Sequence, residues 1–257
     1  MKKKKLVFHF YAIDNWDKNP IVKLHLKLLK HYAMFFDESH FVIAIDDIND
    51  ITTIKAIEKM LMRIGYTNVK FSVIQNNPML KQNETFYRDF ILEMERYDGV
   101  LYFGHLLGIT RHKNNEPYEM LSKLICISYY ELFKEIPYLA ILKAYCYMII
   151  VPICYDRNDD GKWMSVGGFM GVNAAGLTQI ASNVGASLKV NTIEECNNET
   201  FIGERISKDN ADVCNANYIT LFSEWDYINY LDVGLNIIYS NNEKGLSEFN
   251  SFHEKFS

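Results

Sequence analysis

The sequence predicts an α/β fold with a mostly parallel central sheet flanked by helices, and three observations carry that prediction. Strand-like and helix-like segments alternate through the N-terminal part of the chain, the order expected of a parallel sheet covered on both faces. The strand-like segments are short, continuously apolar runs such as Phe41 to Ile45 (FVIAI) and Val100 to Phe103 (VLYF), as strands buried on both faces are. Each run ends in polar or glycine residues, and in open α/β sheets ligands bind in the crevice outside the carboxyl ends of the strands. The stretch Tyr97 to Arg111, in which a buried run meets Gly104 and His105, is therefore where chemistry is expected. A solvated histidine in a strand-end turn explains that stretch alone equally well.

In chain order, Leu6 to Ile13 reads as the first strand, and Asn19-Pro20 opens a helix over Ile21 to Phe36 with proline at an early position. Leu24, Leu28, Tyr32 and Phe35 give that helix its expected apolar stripe. Phe41 to Ile45 is the second strand. Asp50 caps a helix over Ile51 to Ile64, which Gly65 closes. Val69 to Gln75 is the third strand, Asn76-Asn77-Pro78 a turn, Glu84 to Arg96 the third helix, and Val100 to Phe103 the fourth strand. Beyond Arg111 the pattern changes. His112 to Pro117 reads as a loop, Tyr118 to Glu135 and Tyr138 to Tyr147 as helices parted by Pro137, and Ile149 to Tyr155 as a strand. Trp163 to Asn173 (WMSVGGFMGVN) reads as a strand approached closely by other groups, and Ala174 to Val184 as a helix. Asn198 to Ile206 reads as a helix start carrying two carboxylates, and Tyr218 to Tyr239 as an aromatic packing arm.

At 257 residues the chain can bury a full core, and one domain is expected. A net charge of -5 argues against nucleic-acid binding. The basic run Lys2 to Lys5 reads as a solvated terminus, with contact to an anionic membrane surface as the alternative. The short apolar run after it carries His9 and lacks a small-residue cleavage site, so it does not read as a signal peptide, and a cytoplasmic location follows. Cys126, Cys146, Cys154, Cys196 and Cys214 are widely spaced and form no CxxC pair, so neither a disulfide framework nor a zinc site is indicated. The most apolar window, Leu139 to Cys154, holds Lys143 and is too short to span a bilayer.

Neither GxGxxG nor GxxxxGK[ST] nor GxSxG occurs, which disfavours the usual dinucleotide fold, P-loop NTPases and serine hydrolases of the elbow type. What remains is a polar rim at consecutive strand ends: Tyr11 and Asp14, Asp46 and Asp47, Asn76 and Asn77, Gly104 and His105. Such a rim suits a nucleotide, with carboxylates accepting from base or ribose and aromatics stacking on the base. The competing reading is that Asp46 and Asp47 only end a strand and begin a helix. Asp156, Asp159 and Asp160 could hold Ca²⁺ or Mg²⁺, but such a loop is more often turn chemistry.

The segments HFYAIDNWDKN, FDESHFVIAIDD, VIQNN followed by ETF, DGVLYFGHLLGIT, WMSVGGFMGVNA and ETFIGE together resemble a family of bacterial glycosyltransferases of capsular and surface polysaccharide biosynthesis with a GT-A-like fold. The resemblance spans Leu6 to Ile206. The family's fourth-strand motif, Phe, small, His, any, Lys, Gly, stands here as Phe103-Gly104-His105-Leu106-Leu107-Gly108, so His105 and Gly108 match and Leu107 does not. In the family that lysine would neutralise a donor diphosphate. With leucine there, either Arg111 or Lys113 supplies the charge, or activity is reduced or lost.

The resemblance implies transfer of a sugar from a nucleotide-diphosphate donor, a UDP-sugar first among them, to a saccharide or lipid-linked saccharide at the inner face of the membrane. It implies one domain over 1–257, with a nucleotide-binding half (1–111), an acceptor-side half (112–206) and a packing arm (207–257). His105 and Arg111 would stabilise the leaving group, with Glu199 or Glu204 as base and Asp156 behind them. Tyr11, Asp14, Asp46, Asp47, Asn77, Gly104 and Gly108 would hold the donor, and Trp163, Gly168 and Phe169 would face the acceptor. Enzymes of this kind that use a divalent ion often carry an Asp-any-Asp triplet where this chain has Gly104-His105-Leu106, so no metal ligands are assigned, and Mg²⁺ or Mn²⁺ is neither required nor ruled out. The alternative is a catalytically silent relative, a binding or assembly subunit whose aromatic tail (Trp225, Tyr227, Tyr230, Tyr239) meets a partner or a second copy.

Overall fold

The computed structural model describes residues 3–94, 96–107, 109, 148–156, 162–165, 168–183, 185–189, 192–193, 196–206 and 217–222. Strand β1 (Lys3–Ala12) lies between β2 (Glu38–Ile45) and β4 (Gly99–His105), and β3 (Val69–Gln75) pairs with the far side of β2. All four run parallel, as the buried apolar runs require. Strands β5 (Met148–Asp156), β6 (Trp163–Ser165), β7 (Met170–Asn173) and β8 (Asn217–Phe222) extend the sheet beyond β4. The order is β3-β2-β1-β4-β7-β5-β6, with β8 beside β5; β7 is antiparallel to β4, and β8 parallel to β5. The result is the mixed α/β fold expected, a mostly parallel central sheet flanked by helices.

Helix α1 (Pro20–Tyr32) begins where the sequence places it, because Asn19 Oδ1 accepts from the backbone N–H of Ile21 at 2.9 Å and of Val22 at 3.2 Å. Helix α2 (Ile51–Arg63) begins with Asp50 accepting from Thr53 N–H at 3.0 Å, and Gly65 beyond its end takes φ 121°. The third helical stretch runs from Gln82 to Met94 and contains a π-helical segment, Phe86–Ile91. The sheet separates two apolar clusters: Leu6, Phe8, Phe10, Phe41 and Tyr102 face α1 and α2, while Val7, Leu101 and Phe103 pack with Phe86 and Phe90.

Four expectations change. The buried residues of α1 are Ile21, Val22, His25, Leu29 and Tyr32; of the expected stripe Tyr32 is among them and Leu28 and Phe35 pack partly buried against the same cluster, while His25 turns inward to bond a backbone carbonyl. Lys3, Lys4 and Lys5 begin β1 rather than a tail: Lys3 stays exposed, and the three meet Glu38 at 3.1 Å, Asp37 at 3.9 Å and Glu93 at 2.8 Å. Residues 163–173 form two strands, β6 and β7, with Gly168 at φ 71° between them. The start of the expected packing arm is β8, a strand of the sheet. Among the described residues, no helix is long and apolar enough to cross a membrane. The expected helices over 118–135 and 138–147, the loop 112–117, Asp159, Asp160, Cys126, Cys146, Cys214 and the tail aromatics lie outside the described residues.

Candidate functional site

The carboxyl ends of β1, β2, β3 and β4 form one edge, and the register of the sheet brings the polar residues of that edge together. His9 of β1 stands opposite His105 of β4, so the two imidazoles share a face of the sheet; each is 5 % exposed. Gly104, one step back, stands opposite Phe8, and a Cβ added to it would lie 3.0 Å from both the Phe8 and the Phe169 rings. The glycine thus lets two aromatics close over the strand end. The Phe169 ring lies 5.2 Å from that of His105 and fixes one side of the imidazole.

His9 and His25 are held as neutral rings. His9 Nδ1 lies 2.7 Å from Thr85 Oγ1, and burial, helped by His105, pushes its pKa down to about 3. His25 contacts the Leu107 carbonyl through Nε2 at 3.3 Å. A carbonyl can only accept, so that nitrogen carries the proton. Burial pushes His25 down to about 3 as well, against the Leu107 bond and with His105 adding to the shift.

Two residues beyond His9, on the same face, the Tyr11 hydroxyl donates to the Asp46 carboxylate at 3.2 Å. Asn76 Nδ2 donates to Asp46 Oδ1 at 2.8 Å, and Gln75 Nε2 donates to the Asp46 carbonyl. Burial first, and then the charge of Asp46, raise the Tyr11 pKa and keep the phenol protonated. The ends of β1, β2 and β3 are therefore tied through one carboxylate.

A cleft of about 240 Å³ opens on this edge, with His9, Tyr11, Asn76, Lys81, Gln82 and His105 as its polar lining. Pro78, Leu106, Leu107 and Ile109 supply its apolar side. It is slightly below the usual size of a small-molecule pocket. Across Asn76 and Pro78 lies a shallower depression of about 440 Å³ that includes Asn77, Glu84 and Arg88, the last two paired at 2.8 Å.

The fold separates the expected site residues. Tyr11 and His105 line the cleft and Asp46 stands directly behind it, bonded to two of the lining side chains. Asp14, Asp47 and Asn77 are exposed turn residues: Asp47 Oδ1 accepts from Asn49 N–H at 2.9 Å, and Asn77 Oδ1 from Met79 N–H at 3.0 Å. Asn76, rather than its neighbour, reaches the cleft. Gly104, Gly168 and Phe169 are buried and act through packing. Glu199 and Glu204 are not among the lining residues; Glu204 is exposed on the short helix Phe201–Arg205. Trp163 opens β6, Asp156 ends β5, and Gly108, Arg111 and Lys113 lie outside the described residues.

Asn198, the first residue of the expected helix start, connects these parts. It is 1 % exposed, donates from Nδ2 to the Gly168 carbonyl at 3.3 Å, and accepts from Gln82 Nε2 at 3.3 Å. Its backbone N–H donates to Asn83 Oδ1 at 3.0 Å. The segment before β7 is thereby fastened to the turn that carries Lys81 and Gln82.

Sequence reasoning missed Lys81, the lysine of the cleft lining. Its backbone lies at φ 48° and ψ -132°, a region that non-glycine residues seldom occupy. No pattern in the residues around it signals that geometry. Among the described residues, no group of His, Cys, Asp and Glu is arranged to hold a metal ion.

No family model matches the sequence, and no curated protein matches it. Solved structures do match, among them a crystal structure of S. aureus TarS, residues 1–349, a staphylococcal wall teichoic acid glycosyltransferase. That likeness has a TM-score of 0.40 and 14 % identity over 99 % of this chain and 72 % of that one, too weak to bear on function. The functional reading rests on this chain's own residues.

Proposed function

We propose that the protein is a glycosyltransferase that moves a sugar from a nucleotide-diphosphate donor to a saccharide acceptor in bacterial surface polysaccharide assembly. One observation carries the reading. The cleft at the carboxyl edge of the parallel strands combines an aromatic ring, a carboxylate tied to it, and two imidazoles opposite each other on β1 and β4. Tyr11 offers a face for a base, and Asp46 and Asn76 offer polar groups for a nucleoside. His105, beside Phe169, stands where charge on a leaving diphosphate would develop. The family resemblance of the fourth-strand motif adds to this, and a UDP-sugar is the first donor to try.

The test is donor turnover with UDP-, GDP-, CMP- and dTDP-sugars, following nucleotide release for the natural chain and for His105→Ala. Release from one donor class, lowered at least about a hundredfold by the substitution, is the expected result. Turnover that survives His105→Ala unchanged would place the chemistry elsewhere.

A second reading has its own observation. Leu107, which stands where the family has lysine, packs against the apolar cluster facing α1, and its carbonyl is engaged by His25. A binding or assembly subunit would retain nucleotide affinity and release no product.

A further inference from the structure

We propose that Lys81 is the residue that pairs with the diphosphate of a nucleoside-diphosphate ligand in the cleft. The proposal rests on the donor reading above and names the cation of that site.

Among the described lining residues Lys81 is the one lysine or arginine. His9 is neutral through burial, Tyr11 stays protonated, and Asn76 and Gln82 are amides. Asp46, bonded to both Tyr11 and Asn76, places a negative charge just behind that wall. A diphosphate entering beside Asp46 is repelled unless a cation also lines the cleft, and Lys81 is in that lining. Leu107, on the apolar side, cannot supply that charge.

The backbone gives an independent reason. At φ 48° and ψ -132°, residue 81 sits where glycine would be relaxed and a side chain is strained. The turn is braced to hold it there. The Lys81 N–H donates to the Asn77 carbonyl at 2.7 Å, and Asn77 Oδ1 accepts from Met79 and Leu80 N–H at 3.0 and 3.4 Å. The next residue, Gln82, is anchored to the buried Asn198. Strained positions of this kind persist where the surroundings over-determine them, and a charged side chain aimed at a ligand is a use for one.

The test is calorimetric titration of UDP, GDP, CDP, dTDP and ADP, and of the matching nucleosides, into the natural chain and into Lys81→Met, Lys81→Arg and Lys81→Gly. For whichever diphosphate binds, Lys81→Met should weaken it about tenfold or more while leaving the nucleoside within about twofold. Lys81→Arg should keep most of the affinity. Lys81→Gly should lose as much as Lys81→Met while raising Tm, which separates the side chain's role from that of the turn. Unchanged diphosphate affinity in Lys81→Met, with or without Mn²⁺, would overturn the proposal, as would an equal loss for diphosphate and nucleoside. Failure of the natural chain to bind any of the five would instead remove the donor reading, and this proposal with it.

Discussion

Lowering the pH from 7.5 to 5 will remove about 6 kcal/mol of folding stability through three buried histidines. Burial is the main cause for each: it pushes His9 and His25 down to about 3 and His40 down to about 4. In the unfolded chain each ring takes up its proton near the ordinary value of about 6.5. Between that value and the native one, the unfolded state binds more protons, so stability falls as pH falls; above about 7.5 neither state binds them and the curve is flat. At pH 5 each histidine contributes about 2 kcal/mol of this loss, almost independently of how far below 4 its native value lies. The total rivals the whole stability of an ordinary domain. The assay is urea unfolding at half-unit pH steps, with the slope m checked for constancy. His25→Phe should cut the drop by about a third. A stability that changes by less than about 1 kcal/mol between pH 7.5 and 5 would refute the claim that these rings are buried and neutral.

Further outcomes follow from the packing of the cleft. Gly104→Ala puts a Cβ at 3.0 Å from Phe8 and Phe169, and should cost about 1–3 kcal/mol in unfolding experiments while also weakening nucleotide binding, since Phe169 holds the His105 ring. Gly168→Ala should be far worse, because residue 168 lies at φ 71° and the new methyl would overlap the Asn198 amide; loss of soluble expression is the readout. Asn198→Ala strips buried partners from Gln82 and the Gly168 carbonyl, and should lower stability by about 1–3 kcal/mol. Tyr11→Phe leaves the fold within about 1 kcal/mol, since its bond to Asp46 is exposed, but should weaken binding of any ligand held by that network.

The parallel half of the fold was legible because its signals are local. Runs such as FVIAI are apolar on both faces, and Asn19-Pro20, Asp50 and Gly65 mark helix ends by their own backbone chemistry. The α1 face was misread because His25 counts as polar until its partner, the Leu107 carbonyl 82 residues away, is known. The lysines of β1 look like a solvated tail for the same reason, since Glu38 and Glu93 reach them only in the folded chain. At the candidate site, strand-end logic points to the edge where Tyr11 and His105 line the cleft and Asp46 bonds Tyr11. It could not tell that Asn76 rather than Asn77 turns inward, nor that Phe169 is core. Lys81 was invisible because a positive φ at lysine contradicts local preference and is imposed by the fold.

The central claim, a nucleotide site on this edge, is tested most directly by thermal stabilisation with UDP, GDP, CMP, dTDP and ADP, each with and without Mn²⁺. A ligand that binds only the folded state adds about 2.7 kcal/mol at a hundredfold excess over its Kd. The account predicts a shift for one nucleotide class that is reduced in His105→Ala and in Tyr11→Phe. A chain that none of the five stabilises, with or without the ion, would contradict it.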